Sequence, residues 1–326
     1  MLDYSSRSFD GATDLQLVIE FARANLASRL PGLTYWHPGD AVWRLATVEP
    51  EALAANVRLW TDTRGVAGVA MFEPPLNVEF DLRADILIDG SLLGEMLAWA
   101  EYRRLRRLQR GAADVPIAYS MLGDDTLATT ALDSDGTRIA ALAARGYSRV
   151  ERHSTRYRRS LDAPIPERDL PAGARLRHVT AADVDERIDL HRDAWSVWGP
   201  SGATVEAYRK LRAAPLYRPE LDVVLEDADG RFLSYCICWA DPASGVGMFE
   251  PVGVRPAFAG RGYGKAVLFE GLRRLKALGM HTALIGTASV NTRALRLYPS
   301  CGFAEVDREH HYVKRLGTTP GTTIVG

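Results

Sequence analysis

The chain has 326 residues, 47% hydrophobic and 25% charged, with 40 Lys and Arg against 41 Asp and Glu and a net charge of −1. That length fits roughly two domains, and the balance of charge gives no reason to expect nucleic acid or an anionic membrane as a partner. No apolar run approaches the ~20 residues that cross a bilayer, the start MLDYSSRSFDG lacks the regions of a signal peptide, and the three cysteines do not make a disulfide framework. A reducing cytoplasm is the expected setting. An excess of arginine over lysine, with abundant alanine, fits a bacterial genome of high GC content.

In chain order, 14–28 (DLQLVIEFARANLAS) has the apolar spacing of a helix. A hairpin is expected over 57–72, a strand over 76–84 and a helix over 91–109. Residues 138–146 form a short amphipathic helix, and the strand after it closes on Leu161. Residues 162–174 (DAPIPERDLPAGA) are rich in proline and charge and read as a linker. A strand then leads into a helix ending near Trp195, with Thr180 as its N-cap, and 203–213 is helical. Residues 221–241 form a hairpin around Asp229-Gly230. In it, Cys236 and Cys238 face one side of a strand. With no further Cys or nearby His they read as core, so no metal is expected. A strand over 247–254 precedes a helix over 264–279 that Gly279 ends, then a strand over 281–288, a helix from Asn291 and the final strands. His310 and His311 are adjacent on the last strand, point to opposite faces and read as a surface pair.

The stretches ending at Leu161 and Leu316 repeat one pattern: amphipathic helix, Gly-aromatic, Val-acid-Arg strand, basic strand. Gly146 matches Gly302, and Val150 matches Val306. This implies two copies of one domain, at 1–161 and 175–316, with a flexible tail over 317–326. Hairpins followed by β-α-β-α-β describe an α+β fold, a mixed, mostly antiparallel sheet flanked by helices in each copy.

Residues 252–268 (VGVRPAFAGRGYGKAVL) hold Gly260, Gly262 and Gly264 between a strand and a helix. Such a loop offers close backbone approach, unpaired N–H groups and a positive helix end to an anion. It is not a nucleotide-triphosphate loop of the form G-x-x-x-x-G-K-(S/T), because Ala259 and Ala266 stand at the first glycine and the hydroxyl. Nor is it a dinucleotide fingerprint, because its spacing is G-x-G-x-G and no carboxylate lies near 284–286. A second motif follows in order: Asn291, Ala294, Tyr298, Gly302 and Phe303, with Asn291 as a helix cap.

Together the two blocks resemble the GCN5-related N-acetyltransferase superfamily, whose patterns are (Q/R)-x-x-G-x-(G/A) and N-x-x-A-x-x-x-Y-x-x-x-G-F. The match covers 174–316, and GMFEPVGVRP looks like actinobacterial members. One departure is Ala259, where the family carries Gln or Arg. In the first copy the corresponding stretch, ADILIDGS, has no glycine cradle, so that copy reads as degenerate and unable to bind coenzyme A.

The resemblance implies acetyl-CoA as cosubstrate. Its pyrophosphate would lie on the N–H groups of Ala259, Gly260, Arg261, Gly262, Tyr263, Gly264 and Lys265, with Asn291 nearby. Its pantetheine would pair with the backbone of Val252, Gly253 and Val254, Gly253 marking a bulge or close approach. Tyr298 would sit near the sulfur as proton donor, its alternative being a packed helix tyrosine. Glu250, two residues before Val252 in an apolar run, is the choice for the base that takes the amine's proton, its alternative an ion-paired or edge glutamate. Asp241 is second choice or an amine ligand. Trp195, Trp198 and Tyr208 either wall the acceptor or serve the core. The expected reaction is acetyl transfer to a primary amine of a small molecule by direct attack in a ternary complex. The alternatives are peptide or protein acetylation, or a silent acyl-CoA sensor.

Overall fold

The computed structural model describes residues 4–29, 34–86, 90–110 and 125–317. The first half of the chain forms β1 (Ser5–Ser8), α1 (Gly11–Ser28), α2 (Pro38–Leu45), α3 (Pro50–Asn56), β2 (Val57–Asp62), β3 (Gly65–Glu73), β4 (Asn77–Leu82), α4 (Ser91–Gln109), β5 (Thr126–Leu132), α5 (Gly136–Ala144) and β6 (Ser148–Ser160). The second half forms β7 (Arg175–His178), α6 (Val184–Trp195), α7 (Val205–Ala213), β8 (Asp222–Glu226), β9 (Phe232–Asp241), β10 (Val246–Val254), α8 (Tyr263–Ala277), β11 (Thr282–Ala288), α9 (Thr292–Ser300) and β12 (Ala304–Arg315).

Two compact units result, and they do not follow the halves of the chain. Unit 1 takes the described residues of Met1–Asp10, Glu51–His153 and Arg308–Gly326. Unit 2 takes those of Gly11–Pro50 and Ser154–Asp307. The division expected at 161–175 therefore differs from the compact units in two ways. Final strands are exchanged: the end of β6 pairs antiparallel with β11 in unit 2, and β12 pairs antiparallel with β5 in unit 1. The helices α1 and α2 also belong to unit 2. An amphipathic helix or a two-faced strand carries the same local pattern whichever core it completes, so the repeat is legible while the exchange is not.

In unit 1 the strands run β1-β2-β3-β4-β5-β12, all antiparallel neighbours except β4 and β5. Trp60, Phe72, Phe80, Leu93, Met96 and Leu97 form its core. His310 is buried there rather than at the surface. Its ring bonds Asp133 at 2.8 Å and Arg149 at 2.8 Å, which satisfies both nitrogens. The stretch read as a degenerate loop includes 87–89, outside the described residues, as are 318–326 of the tail.

In unit 2 the strands run β6-β11-β10-β9-β8-β7, antiparallel except for β10 and β11. Every residue of β9 is buried. Its alternation splits the two faces. Cys236 and Cys238 pack with Val267, Leu268, Leu272 and Leu275 of α8. Tyr235 and Trp239 face the other way, where Arg187 of α6 stacks 3.6 Å over the Tyr235 ring. Gly39 of α2 lies against Trp239 so closely that a Cβ would overlap the indole. The sequence reading does not contain α2. Its signals are short but present: Pro38 opens it, His37 Nδ1 accepts from Gly39 N at 3.0 Å, and Asp40 reaches back to His37 N at 3.3 Å. Among the described residues no helix is long and apolar enough to cross a membrane.

Candidate active site

The site begins where β10 leaves its ladder. β10 pairs with β11 only from Val246 to Met248, while its pairing with β9 continues to Val254. Between Phe249 and Val252 one extra residue is inserted against β9, a bulge at Glu250-Pro251. The bulge thus ends two residues before Gly253. Gly253 answers a different demand: a Cβ there would strike the Tyr235 ring and stand 2.9 Å from Ala194 of α6. Past the bulge, the β11-facing edge of Val252, Gly253 and Val254 has no ladder partner among the described residues, leaving backbone groups open to a ligand.

Arg255 fixes the start of the loop that follows. It is buried, donates to Phe232 O at 2.7 Å and pairs with Glu186 at 2.9 Å and Asp193 at 3.1 Å on α6. Gly260 and Gly262 both have left-handed backbones, φ 80° and 83°. Gly262 is the N-cap of α8, so the helix's first N–H groups point out of the loop with no side chain in front of them. Asn291 caps α9, accepting from Ala294 N at 3.2 Å.

These elements line a cleft of about 770 Å³. Val252, Gly253, Val254, every residue from Ala259 to Lys265, Asn291 and Tyr298 all contribute to it, as do Trp195 and Trp198. Five cations line it, Arg168, Arg261, Lys265, Arg293 and Arg296, and no carboxylate does. None of the five forms an ion pair among the described residues. In a chain of nearly balanced charge, that concentration favours a polyanion. The left-handed glycines, the open helix end and the cations together fit the phosphates of a coenzyme A.

Of the two titratable candidates, Tyr298 lines the cleft and Glu250 does not, though the Glu250 charge acts on Tyr298. Glu250 is half-buried, and its carbonyl accepts from Trp239 Nε1 at 2.8 Å. Burial, then the Asp40 carboxylate, push its carboxyl up to about 7, against the opposing pull of Arg44 and Arg156. Tyr298 is buried and edge-on to Tyr157 at 5.8 Å. Burial and the Glu250 charge hold its hydroxyl above the ordinary phenol range, so it keeps its proton. A carboxyl that titrates near neutrality and a phenol that keeps its proton, the first acting on the second, have the separated proton affinities that acid and base chemistry requires.

The remaining candidates divide. Trp195 is half-buried and donates to Tyr235 Oη at 2.8 Å, while Trp198 is exposed. Tyr208 does not line the cleft. It is buried, with its hydroxyl on Asp222 at 2.5 Å, beside the buried Arg187–Asp222 pair at 3.1 Å. Asp241 is likewise absent from the cleft wall, buried and paired with Arg23 of α1 at 2.7 Å and with Ser244. Sequence reasoning missed Asp40 and Arg44, whose helix comes from the other half of the chain, and Arg168, which lies in the linker.

A model of the acetyltransferase (GNAT) family matches residues 187–303. A mycothiol acetyltransferase of Kineococcus radiotolerans is 30% identical over 89% of this chain and 90% of its own length. Another, of Pseudarthrobacter chlorophenolicus, is 31% identical over 55% of this chain, which spans only 58% of that relative. A tandem GNAT protein from the clavulanic acid biosynthesis pathway superposes with a TM-score of 0.63 at 14% identity, over 97% of this chain and all of that one, and so shares the fold. The glycine loop, the splayed β10 and the matching relatives agree: the chain belongs to the GNAT family of acetyltransferases.

Proposed function

We propose that unit 2 transfers an acetyl group from acetyl-CoA to a primary amine of a small molecule by direct attack. The observation that carries this is a cationic, glycine-lined cleft with the proton-bearing phenol of Tyr298 in its wall, and behind that wall, on β10, a carboxyl poised near 7 whose charge acts on the phenol. Acetyl-CoA, when bound, supplies a thioester carbonyl and a thiol leaving group. The N–H groups of Gly260 to Lys265 and the start of α8 bind phosphate. The backbone of Val252, Gly253 and Val254 orients the pantetheine arm as an added strand would.

An amine attacks only when neutral. The ionised carboxylate of Glu250 takes the amine's proton, directly or through one water, and its raised proton affinity makes it a competent acceptor near pH 7. Tyr298 keeps its proton throughout the neutral range and holds it toward the departing sulfur. The acceptor's surroundings include Asp40 and Arg44 of α2, whose charges already act on Glu250. The mycothiol acetyltransferases to which the chain is similar make their amine substrate the first acceptor to try. Thiol release from acetyl-CoA against an amine panel that includes it tests the reading. Turnover with at least one small amine is expected. Coenzyme A binding without turnover on any amine or peptide would leave a sensor in its place.

A further inference from the structure

Resting on that donor reading, we propose that Arg168, in the segment between the two repeats, is the side-chain ligand of the donor's pyrophosphate and fills the role that Ala259 leaves empty. The loop pattern of the superfamily opens on Gln or Arg. Here that position is Ala259, which lines the cleft with no polar group. The guanidinium of Arg168 lies directly over Gly262: its Cζ is 2.8 Å, and its Nε 3.2 Å, from where a Cβ on Gly262 would stand. The residue that caps α8 thus has two reasons to be glycine, its left-handed φ of 83° and the arginine stacked on it. An anion on the loop meets the N–H groups of the helix end from one side and this guanidinium from the other.

The segment that carries the arginine is anchored on both sides. Pro164 O accepts from Arg159 at 2.6 Å, and Pro166 O accepts from Arg273 at 2.7 Å. Ile165 and Leu170 pack against the unit 2 core on either side of it. Its neighbours Glu167 and Asp169 are exposed and form no ion pair with it among the described residues. Its fork of donors therefore remains for a ligand, and a guanidinium matches two phosphate oxygens at once.

Calorimetric affinities for coenzyme A, dephospho-coenzyme A and pantetheine, on the full chain, separate the possibilities. Arg168→Ala should weaken coenzyme A and dephospho-coenzyme A alike by ~10-fold. Pantetheine, which has no phosphate, should bind as before. The ligand-free melting temperature should not change, because the side chain is exposed. Placing the cation back on the loop, Ala259→Arg in the Arg168→Ala background, should recover most of the loss. Unchanged affinities would overturn the proposal. So would a loss confined to coenzyme A, which would place Arg168 on the 3′-phosphate, a loss that extends to pantetheine, or no recovery in the double variant. A wild-type chain that binds no coenzyme A fails differently, since the donor reading then falls first.

Discussion

Asp40 on α2 raises the proton affinity of Glu250 on β10, although 210 residues of chain separate them. Arg44, one helical turn after Asp40, acts in the opposite direction on the same carboxyl. The two charges adjust, in opposite directions, a proton affinity that burial raises first. If Glu250 must be ionised to act, activity rises with pH through about 7. Asp40→Asn removes the like charge and should move that acid limb down by up to ~1 pH unit. The amide oxygen can still accept from His37 N, so the cap survives. Arg44→Met should move the limb up. A pH profile of kcat/KM that stays put in both variants would remove Glu250 from the role of base.

A carboxyl with raised proton affinity also marks stability. The folded protein holds the Glu250 proton from the ordinary 4.5 up to about 7, while the unfolded chain has released it. Stability from this group is therefore complete below 4.5 and is lost as pH rises through about 7. Glu250→Gln is neutral at every pH. At pH 8 it should unfold with about 1–2 kcal/mol more resistance, allowing for partial solvent access. Near pH 4 the gain should vanish. The same substitution should lower kcat by about 10²-fold or more. A variant both slower and more heat-stable at pH 8 is the signature of a group retained for chemistry, and thermal melts at the two pH values check it.

Tyr298→Phe separates the acid from the fold. The ring packs against Tyr157 and Phe303, and no protein group among the described residues bonds the hydroxyl. Removing only the oxygen should leave the melting temperature within ~2 °C and coenzyme A affinity unchanged. It should lower kcat by about 10²-fold, more with poor thiol leaving groups than with good ones. Loss of fold without this dependence on the leaving group would make Tyr298 a packing residue.

How much of this was legible in the sequence follows element by element. The glycine loop and the capped helix after it were: Gly262, Gly264, Asn291 and Tyr298 lie within 40 residues, and a glycine's freedom or a helix cap is a local property. Glu250 was legible as an odd charge in an apolar strand. Its raised proton affinity was not, because burial in the fold and the Asp40 carboxylate of α2 cause it. The eight-residue helix α2 is too short to show a period, although His37, Pro38 and Asp40 mark its start. Tyr208 and Asp241 stay ambiguous in the sequence, because a polar group at a helix face or strand end looks alike whether it binds a ligand or serves the core. Only the folded chain shows that Asp222 and Arg23 already occupy them. Arg168 was hidden by lying in a stretch whose composition reads as linker.

The loop's glycines are not equivalent, and this gives the sharpest contrast. Gly260 and Gly262 have nearly the same left-handed φ, 80° and 83°. A Cβ on Gly260 meets nothing within 4 Å, whereas one on Gly262 runs into Arg168. Gly260→Ala should therefore cost only the backbone preference, about 1 kcal/mol of stability, with coenzyme A affinity lowered a few-fold. Gly262→Ala carries the same backbone cost, must displace the guanidinium and puts a methyl group in front of the first N–H groups of α8. Its affinity for coenzyme A should fall at least ten times further than that of Gly260→Ala, with a similar change in melting temperature. Equal affinities in the two variants, measured by calorimetry, would mean that neither the helix end nor Arg168 meets the phosphates.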